Sequence, residues 1–164
     1  MSTLTTLVLV LNIGTVKIEL MPEVAPQHVA QIQKLVNDKQ YDGITFHRVI
    51  DGFMAQTGDV KHGNYQNFNI GLVGTGGSDL PNIPAEFSQV SHIRGTVSMA
   101  RSMSPDSANS QFFICFQDAT FLDGQYSVFG RVTEGMDIID RIKRGQPGSG
   151  SVADPDYIEK AFLE

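Results

Sequence analysis

The sequence predicts a mainly β fold, an antiparallel barrel or sandwich accompanied by two helices. Two observations carry that expectation. Many short apolar runs are separated by Gly, Asn, Asp and Pro, and only two stretches show helical spacing. Two helices that far apart in the chain can plug the open ends of a barrel. At 164 residues the chain fits one domain, residues 1–164, long enough to bury a sizeable core.

Leu4 to Leu11, the turn at Asn12-Ile-Gly14-Thr15 and Val16 to Leu20 read as a hairpin. The second arm alternates, with Val16, Ile18 and Leu20 inward and Lys17 and Glu19 outward. A helix follows from about Pro26 to Lys39. Pro26 suits its first turn, and Val29, Ile32, Leu35 and Val36 form its apolar stripe. The next strand puts Phe46, Arg48 and Ile50 on one face and His47 and Val49 on the other. Asp51-Gly52 breaks this run and Phe53 to Gln56 resume it. A tight break brings Arg48, Phe53, Met54 and Gln56 onto one surface, a fixed cation and an amide beside an aromatic ring and a thioether.

Residues 60–95 are dense in Gly, Asn and Pro and read as long surface loops. Within them Gly74-Thr-Gly-Gly77 raises a phosphate-binding reading, but no basic residue and no strand-to-helix context accompany it. Thr96 to Ala100 is a short strand and Arg101 to Ser110 a polar loop. Gln111 to Phe116 is a strand with Gln111, Phe113 and Cys115 on one face. Phe121 to Tyr126 turns into the strand Ser127 to Val132. Thr133 caps a second helix running to Arg144, with Gly135, Ile138, Ile139 and Ile142 buried and a basic last turn. Gly145 and Pro147 stop it. Residues 146–155 form a Gly/Ser-rich connector, and Tyr157 to Leu163 is the closing strand.

A net charge of −6 and a pI near 5.1 argue against a nucleic-acid surface. The single cysteine, Cys115, suits a reducing compartment, and its apolar neighbours predict a buried, inert thiol. No run approaches the ~20 apolar residues of a membrane span. Leu7 to Leu11 has no preceding basic residue and no cleavage pattern, so cytoplasmic residence is expected. His28, His62 and His92 share no metal-ligand spacing, and Asp154 and Asp156 flank a proline without forming a calcium loop, so no metal is expected. His47 alternates away from Arg48 and is expected to be a satisfied structural histidine.

Several blocks resemble the cyclophilin-type peptidyl-prolyl isomerases. They are Phe46-His-Arg-Val-Ile-Asp-Gly-Phe-Met-Ala-Gln-Thr-Gly-Asp59, Gly74-Thr-Gly-Gly77, Gly95-Thr-Val-Ser-Met-Ala-Arg101, Ser110-Gln-Phe-Phe-Ile114, Phe121-Leu-Asp-Gly124 and Val128-Phe-Gly130. The match runs in unbroken order over nearly the whole chain. The resemblance implies an eight-stranded antiparallel closed barrel capped by two helices, and isomerisation of X-Pro bonds without metal or cofactor. By position, Arg48 resembles the catalytic arginine, and Phe53, Met54, Phe113 and Leu122 the pocket for the proline ring. Gln56 and Gln111 resemble the polar residues beside the substrate backbone, and the Arg101 main chain a position that pairs with it. Phe121 and Tyr126 stand where many relatives carry Trp and His, which implies weakened affinity for cyclosporin-like ligands. Tyr126 and Pro84-Ala-Glu-Phe87 resemble bacterial members. The loop between Asp59 and Gly74 is several residues longer than in compact members, and residues 101–110 about one residue longer.

The implied partners are proline-containing peptides and unfolded or folding chains, met as a monomer. The alternatives are a proline-peptide-binding chaperone or scaffold with incidental catalysis, which the retained Arg48 counts against, and a nucleotide-dependent enzyme using residues 74–77.

Overall fold

The computed structural model describes residues 4–164. The chain opens with β1 (Thr6–Leu11) and β2 (Gly14–Leu20), paired through a tight turn at Asn12-Ile13. Val16, Ile18 and Leu20 are buried while Thr15 and Glu19 are exposed, as the alternation requires. Helix α1 (Pro26–Asn37) follows, then the short hairpin of β3 (Arg48–Ile50) and β4 (Met54–Thr57). After the long loops come β5 (Thr96–Met99), β6 (Phe112–Cys115), β7 (Val128–Glu134), α2 (Met136–Ile139) and β8 (Ile158–Leu163). The eight antiparallel strands form a curled half-barrel in the order β3-β4-β6-β5-β7-β2-β1-β8.

The core fills the inside of this curl. Leu7, Leu9, Val16, Ile18, Val97, Phe112, Ile114 and Phe129 come from the strands, and Val29, Ile32, Leu35 and Val36 from α1. Each such fully buried side chain contributes roughly 1.5–3 kcal/mol of transfer free energy. The helices lie at opposite ends of β1. Gln33 of α1 donates to the Leu4 carbonyl just before β1, at 2.8 Å. Ile138 of α2 sits on Gly14, just past its far end.

Three expectations need correction. The ladder does not close, because β3 and β8 are its two ends with no regular pairing between them. Isolated bridges Thr45↔Tyr157 and Arg48↔Ser151 span the seam instead. Pro155 has no N–H to give a ladder, and the Gly/Ser-rich residues beside it disfavour a regular strand. The second helix is a single turn rather than a run from Thr133 to Arg144. Val132 and Glu134 pair with Ile18 and Lys17, so sheet pairing claims Thr133 before it can cap anything. Gly135 then turns the chain at φ +91°, where a Cβ would lie 2.6 Å from the Thr15 carbonyl oxygen. Phe46 does not share a face with Arg48: β3 begins only at Arg48, and Phe46 is packed with Val49 in the main core.

Candidate active site

The β3–β4 hairpin sets Arg48 directly opposite Gln56 and Ile50 opposite Met54. β4 pairs Gln56 with Phe113 and Met54 with Cys115 of β6. Alternation turns Val49, Ala55 and Ile114 into the main core. The other face therefore carries Arg48, Gln56, Met54 and Phe113 on the outer wall of the curl. The tight break at Asp51-Gly52 does bring Arg48, Phe53, Met54 and Gln56 together.

Around them lies a second, smaller apolar cluster. Met54, Phe113, Cys115, Ala119 and Leu122 form it, with Phe53, Ile50, Ala100 and Tyr126 packed on its edge. Met54, Phe113, Leu122, Phe53, Ala100 and Tyr126 of this cluster line a cavity of about 580 Å³ together with Arg48 and Gln56. Phe121 is 67% exposed and rests on the Phe53 ring at 5.5 Å between centroids. Tyr126 meets Phe113 edge to face at 5.8 Å. Cys115 sits beneath the cup, and burial pushes its thiol up to about 12, so it holds its proton at neutral pH.

The polar rim is a chain of hydrogen bonds. Arg48 Nη1 donates to Gln56 Oε1 at 3.1 Å, and Gln56 Nε2 donates to Gln111 Oε1 at 2.9 Å. Gln111 Nε2 donates in turn to the carbonyls of Gly74 and Gly76, at 3.0 and 2.9 Å. Arg48 Nε reaches the Ser149 carbonyl at 3.4 Å. Its guanidinium is thus oriented by neutral oxygens, with no carboxylate partner among the described residues. Arg101 belongs to the same rim. Its guanidinium lies 4.6 Å from the Tyr126 ring centroid and donates to the carbonyls of Gln125 and Ser102.

The Gly74–Gly77 segment has a different task from phosphate binding. The buried Asp59 carboxylate accepts from the backbone N–H groups of Lys61, His62, Gly74 and Gly76, at 2.7–3.0 Å. An internal anion occupies the donors that a phosphate would need. The loop so pinned places Ile70, Val73 and Thr75 against the cavity.

Several participants escaped the sequence reading. Ser149 and Ser151 line the cavity from the Gly/Ser-rich connector, which carries no sequence signal. Gly150 lets that connector pass, since a Cβ there would meet Ile50 at 2.7 Å and Arg48 at 3.2 Å. His47 is a correction: it is buried but lines the cavity, and neither ring nitrogen makes a formed hydrogen bond. Burial lowers it to about 4, so it is neutral beside Arg48 at physiological pH. Behind the cup, buried His92 bridges Asp123 and Ser98 at 3.0 and 2.9 Å and stacks on Phe113. Period-2 reading of β6 finds Phe113, but nothing local announces the histidine that supports it.

Residues 6–162 match the family model of the cyclophilin type peptidyl-prolyl cis-trans isomerase/CLD. The chain belongs to the cyclophilin family. Its activity is peptidyl-prolyl cis-trans isomerisation. Over 161 residues it is 57% identical to a probable peptidyl-prolyl cis-trans isomerase of Brucella suis, covering 97% of this chain and 82% of that protein. It is 39% identical over 131 residues to peptidyl-prolyl cis-trans isomerase B of Bacillus subtilis, covering 79% and 84%. Among solved structures, cyclophilin AquaCyp293 from Hirschia baltica superposes with a TM-score of 0.81 at 30% identity, over 97% of this chain and 73% of that one. A Cryptosporidium parvum cyclophilin crystallised in the presence of the dipeptide Ala-Pro shares the fold, with a TM-score of 0.82 at 24% identity over 97% and 98%.

Proposed function

We propose that this cyclophilin isomerises X-Pro bonds with Arg48 as the catalytic group and Phe53, Met54, Phe113 and Leu122 as the seat of the proline ring. The observation that carries the assignment is a guanidinium without a carboxylate partner, held by neutral oxygens at the lip of an apolar cup. A carboxylate there would compete for the donors; Gln56 orients them without quenching their charge.

An X-Pro bond keeps partial double-bond character, and its uncatalysed isomerisation takes ~10–100 s at 25 °C. As the bond twists, conjugation is lost and the prolyl nitrogen pyramidalises. Its lone pair then becomes a hydrogen-bond acceptor. Arg48 donates to that lone pair, which the planar amide does not offer, so the interaction strengthens toward the transition state and lowers the barrier. The cup holds the ring while the preceding carbonyl swings. The apolar wall also disfavours the charge-separated planar resonance form. Neither proton transfer nor a nucleophile takes part, and the buried Cys115 and neutral His47 have no role as either.

Gln56, with one Nε2 hydrogen still to give, and Gln111, with acceptor capacity left on Oε1, stand beside the peptide backbone. The Arg101 main chain pairs with it, since its N–H and carbonyl take no hydrogen bond among the described residues. Phe121 and Tyr126 close the sides. The substrates are proline-containing segments of unfolded or folding chains, met by a monomeric enzyme. One curled sheet around one core, over residues 6–163, supports treating the chain as a single domain. The free Cys115 supports cytoplasmic residence. Phe121 lacks the indole N–H that a tryptophan would offer there, which supports weak binding of cyclosporin-like ligands.

Replacing Arg48 by Ala is expected to keep the fold and lower kcat/KM by about 10²–10³-fold, the effect of losing one aimed donor. NMR exchange spectroscopy on a short X-Pro peptide measures it; near-normal exchange in a folded variant would remove Arg48 from this role.

A further inference from the structure

The electrostatics of the cleft run against those of the chain. The molecule carries a net charge of −6, yet no Asp or Glu lines either the proline cup or the cavity beside it. Elsewhere the guanidinium groups of Arg94, Arg131 and Arg144 are paired with Asp140, Glu19 and Asp51, and that of Arg141 donates to the Ile13 carbonyl. Arg48 and Arg101, both at the cleft, have no carboxylate partner among the described residues. Asp59 lies nearby, but its two oxygens accept four backbone N–H bonds beneath the loop.

The second cavity has a volume of about 200 Å³, room for a single side chain. It shares Gln56, Ala100 and Arg101 with the proline cup, so Arg101 stands at the junction. Its other walls are hydroxyls and amides from Thr75, Ser102, Ser107 and Asn109. The Arg101 guanidinium is braced from three sides: the Tyr126 ring, the Gln125 carbonyl (3.0 Å from Nε and 2.8 Å from Nη2) and the Ser102 carbonyl (3.0 Å from Nη1). Those bonds use three of its five N–H donors and leave its charge uncompensated. A braced guanidinium loses little side-chain entropy on meeting a carboxylate.

We infer that this cyclophilin favours substrates with an acidic side chain one or two residues before the proline, read by Arg101 at the mouth of the second cavity. The inference rests on the isomerase assignment above. With the prolyl nitrogen at Arg48 and the ring in the cup, the chain preceding the nitrogen runs across Gln56, which lines both cavities. That path carries the preceding side chains to Arg101. Arg48, the other guanidinium lining the proline cup, acts in the same direction and makes a basic side chain unwelcome.

The test uses the whole chain and peptides that differ only in carrying Glu, Gln or Lys at the first or second position before one proline. At low ionic strength kcat/KM from NMR exchange is expected to fall in the order Glu, Gln, Lys. The Glu-to-Lys ratio is about fourfold to twentyfold, as expected for one partly exposed attraction and one repulsion. It shrinks by at least half in 0.5 M salt (Debye length roughly 4–5 Å). Arg101→Gln lowers that ratio by at least half, while Arg101→Lys retains it. Ratios are compared within each variant, so a loss of absolute activity does not blur them. Equal rates for the Glu and Lys peptides at both positions, or an undiminished ratio in Arg101→Gln, overturn the inference. If no peptide exchanges faster than its uncatalysed rate, the isomerase assignment fails instead. The ratio of dissociation constants from the same titration then decides the acidic preference.

Discussion

His47 sits in surroundings far from those of a free imidazole. Its ring is buried against Gly74, with no formed hydrogen bond at either nitrogen. Burial therefore dominates, and the group falls from 6.5 to about 4, with Asp59 only partly opposing. The unfolded chain takes up this proton near pH 6.5, whereas the folded one does not until about pH 4. Between those values the unfolded state holds more protons, so stability rises with pH across the window and is lost on acidification. The expected loss from this residue is about 3 kcal/mol between pH 6.5 and 4, and nothing further above pH 6.5. His28, also lowered by burial, adds a dependence of the same sign. Urea midpoints from pH 4.5 to 7.5 isolate His47 by difference: His47→Gln should flatten the slope, and an unchanged slope would contradict its burial as a neutral ring. Arg48, Phe53, Met54 and Gln56 were legible because one short turn places them in one hairpin, whereas His47 was misjudged. Alternation assigned it to the side away from Arg48, but it precedes β3, where strand alternation does not apply.

At the scale of elements, α1 shows how a correct local reading can omit the group that completes it. Pro26 and the apolar stripe announce the helix, yet its N-cap is Ala25, which has no side-chain oxygen to offer. The cap arrives from Glu86, whose carboxylate accepts from the backbone N–H groups of Gln27 and His28 at 3.2 and 2.9 Å and also bonds the His28 ring. A carboxylate at a helix N-terminus gains from the dipole as well. Nothing at residue 26 points to residue 86, so this contact lies beyond any window-based reading. Glu86→Ala is expected to cost about 1–3 kcal/mol by thermal or urea unfolding at pH 7. Glu86→Gln should recover part of that through its remaining carbonyl oxygen. Equal stabilities for the two variants would mean that the carboxylate is not acting as the cap. The shortened α2 is the reverse case. Thr133 and the isoleucines that follow have the local pattern of a capped helix, but pairing with β2 outweighs it. The basic residues expected in its last turn therefore lie beyond it, where Arg144 Nη1 donates to the carbonyls of Asp140 and Ile142 at 2.7 Å.

Across the whole molecule, the sheet order brings residues 48, 56, 101 and 111 to one outer wall, but the seam between β3 and β8 keeps the curl in shape. The number and alternation of strands were visible in the sequence; the seam was not, because it is made by irregular chain. Asp156 is its hub. The Asp156 carbonyl accepts from the Phe46 N–H at 2.8 Å, just ahead of β3. Its buried carboxylate accepts from Asn12 Nδ2 at 2.9 Å, in the β1–β2 turn, and from the Lys143 N–H at 2.8 Å, beyond α2. One side chain thus ties the hairpin turn and the chain after α2 to the seam that leads into Arg48. Asp156→Ala leaves two donors unmet in a buried place, and the expected cost is about 2–4 kcal/mol. Amide hydrogen exchange should locate that loss, with faster opening at residues 43–49 and 150–158 and little change in the β5–β6 pairing. Because Val49 N–H bonds the Gly150 carbonyl at 2.8 Å across the same seam, loosening it frees the backbone that carries Arg48. The variant should therefore lose kcat/KM with a smaller change in KM, while Met54 and Phe113 keep their side-chain NMR signals. Uniformly faster exchange over all eight strands would instead assign Asp156 to global stability alone.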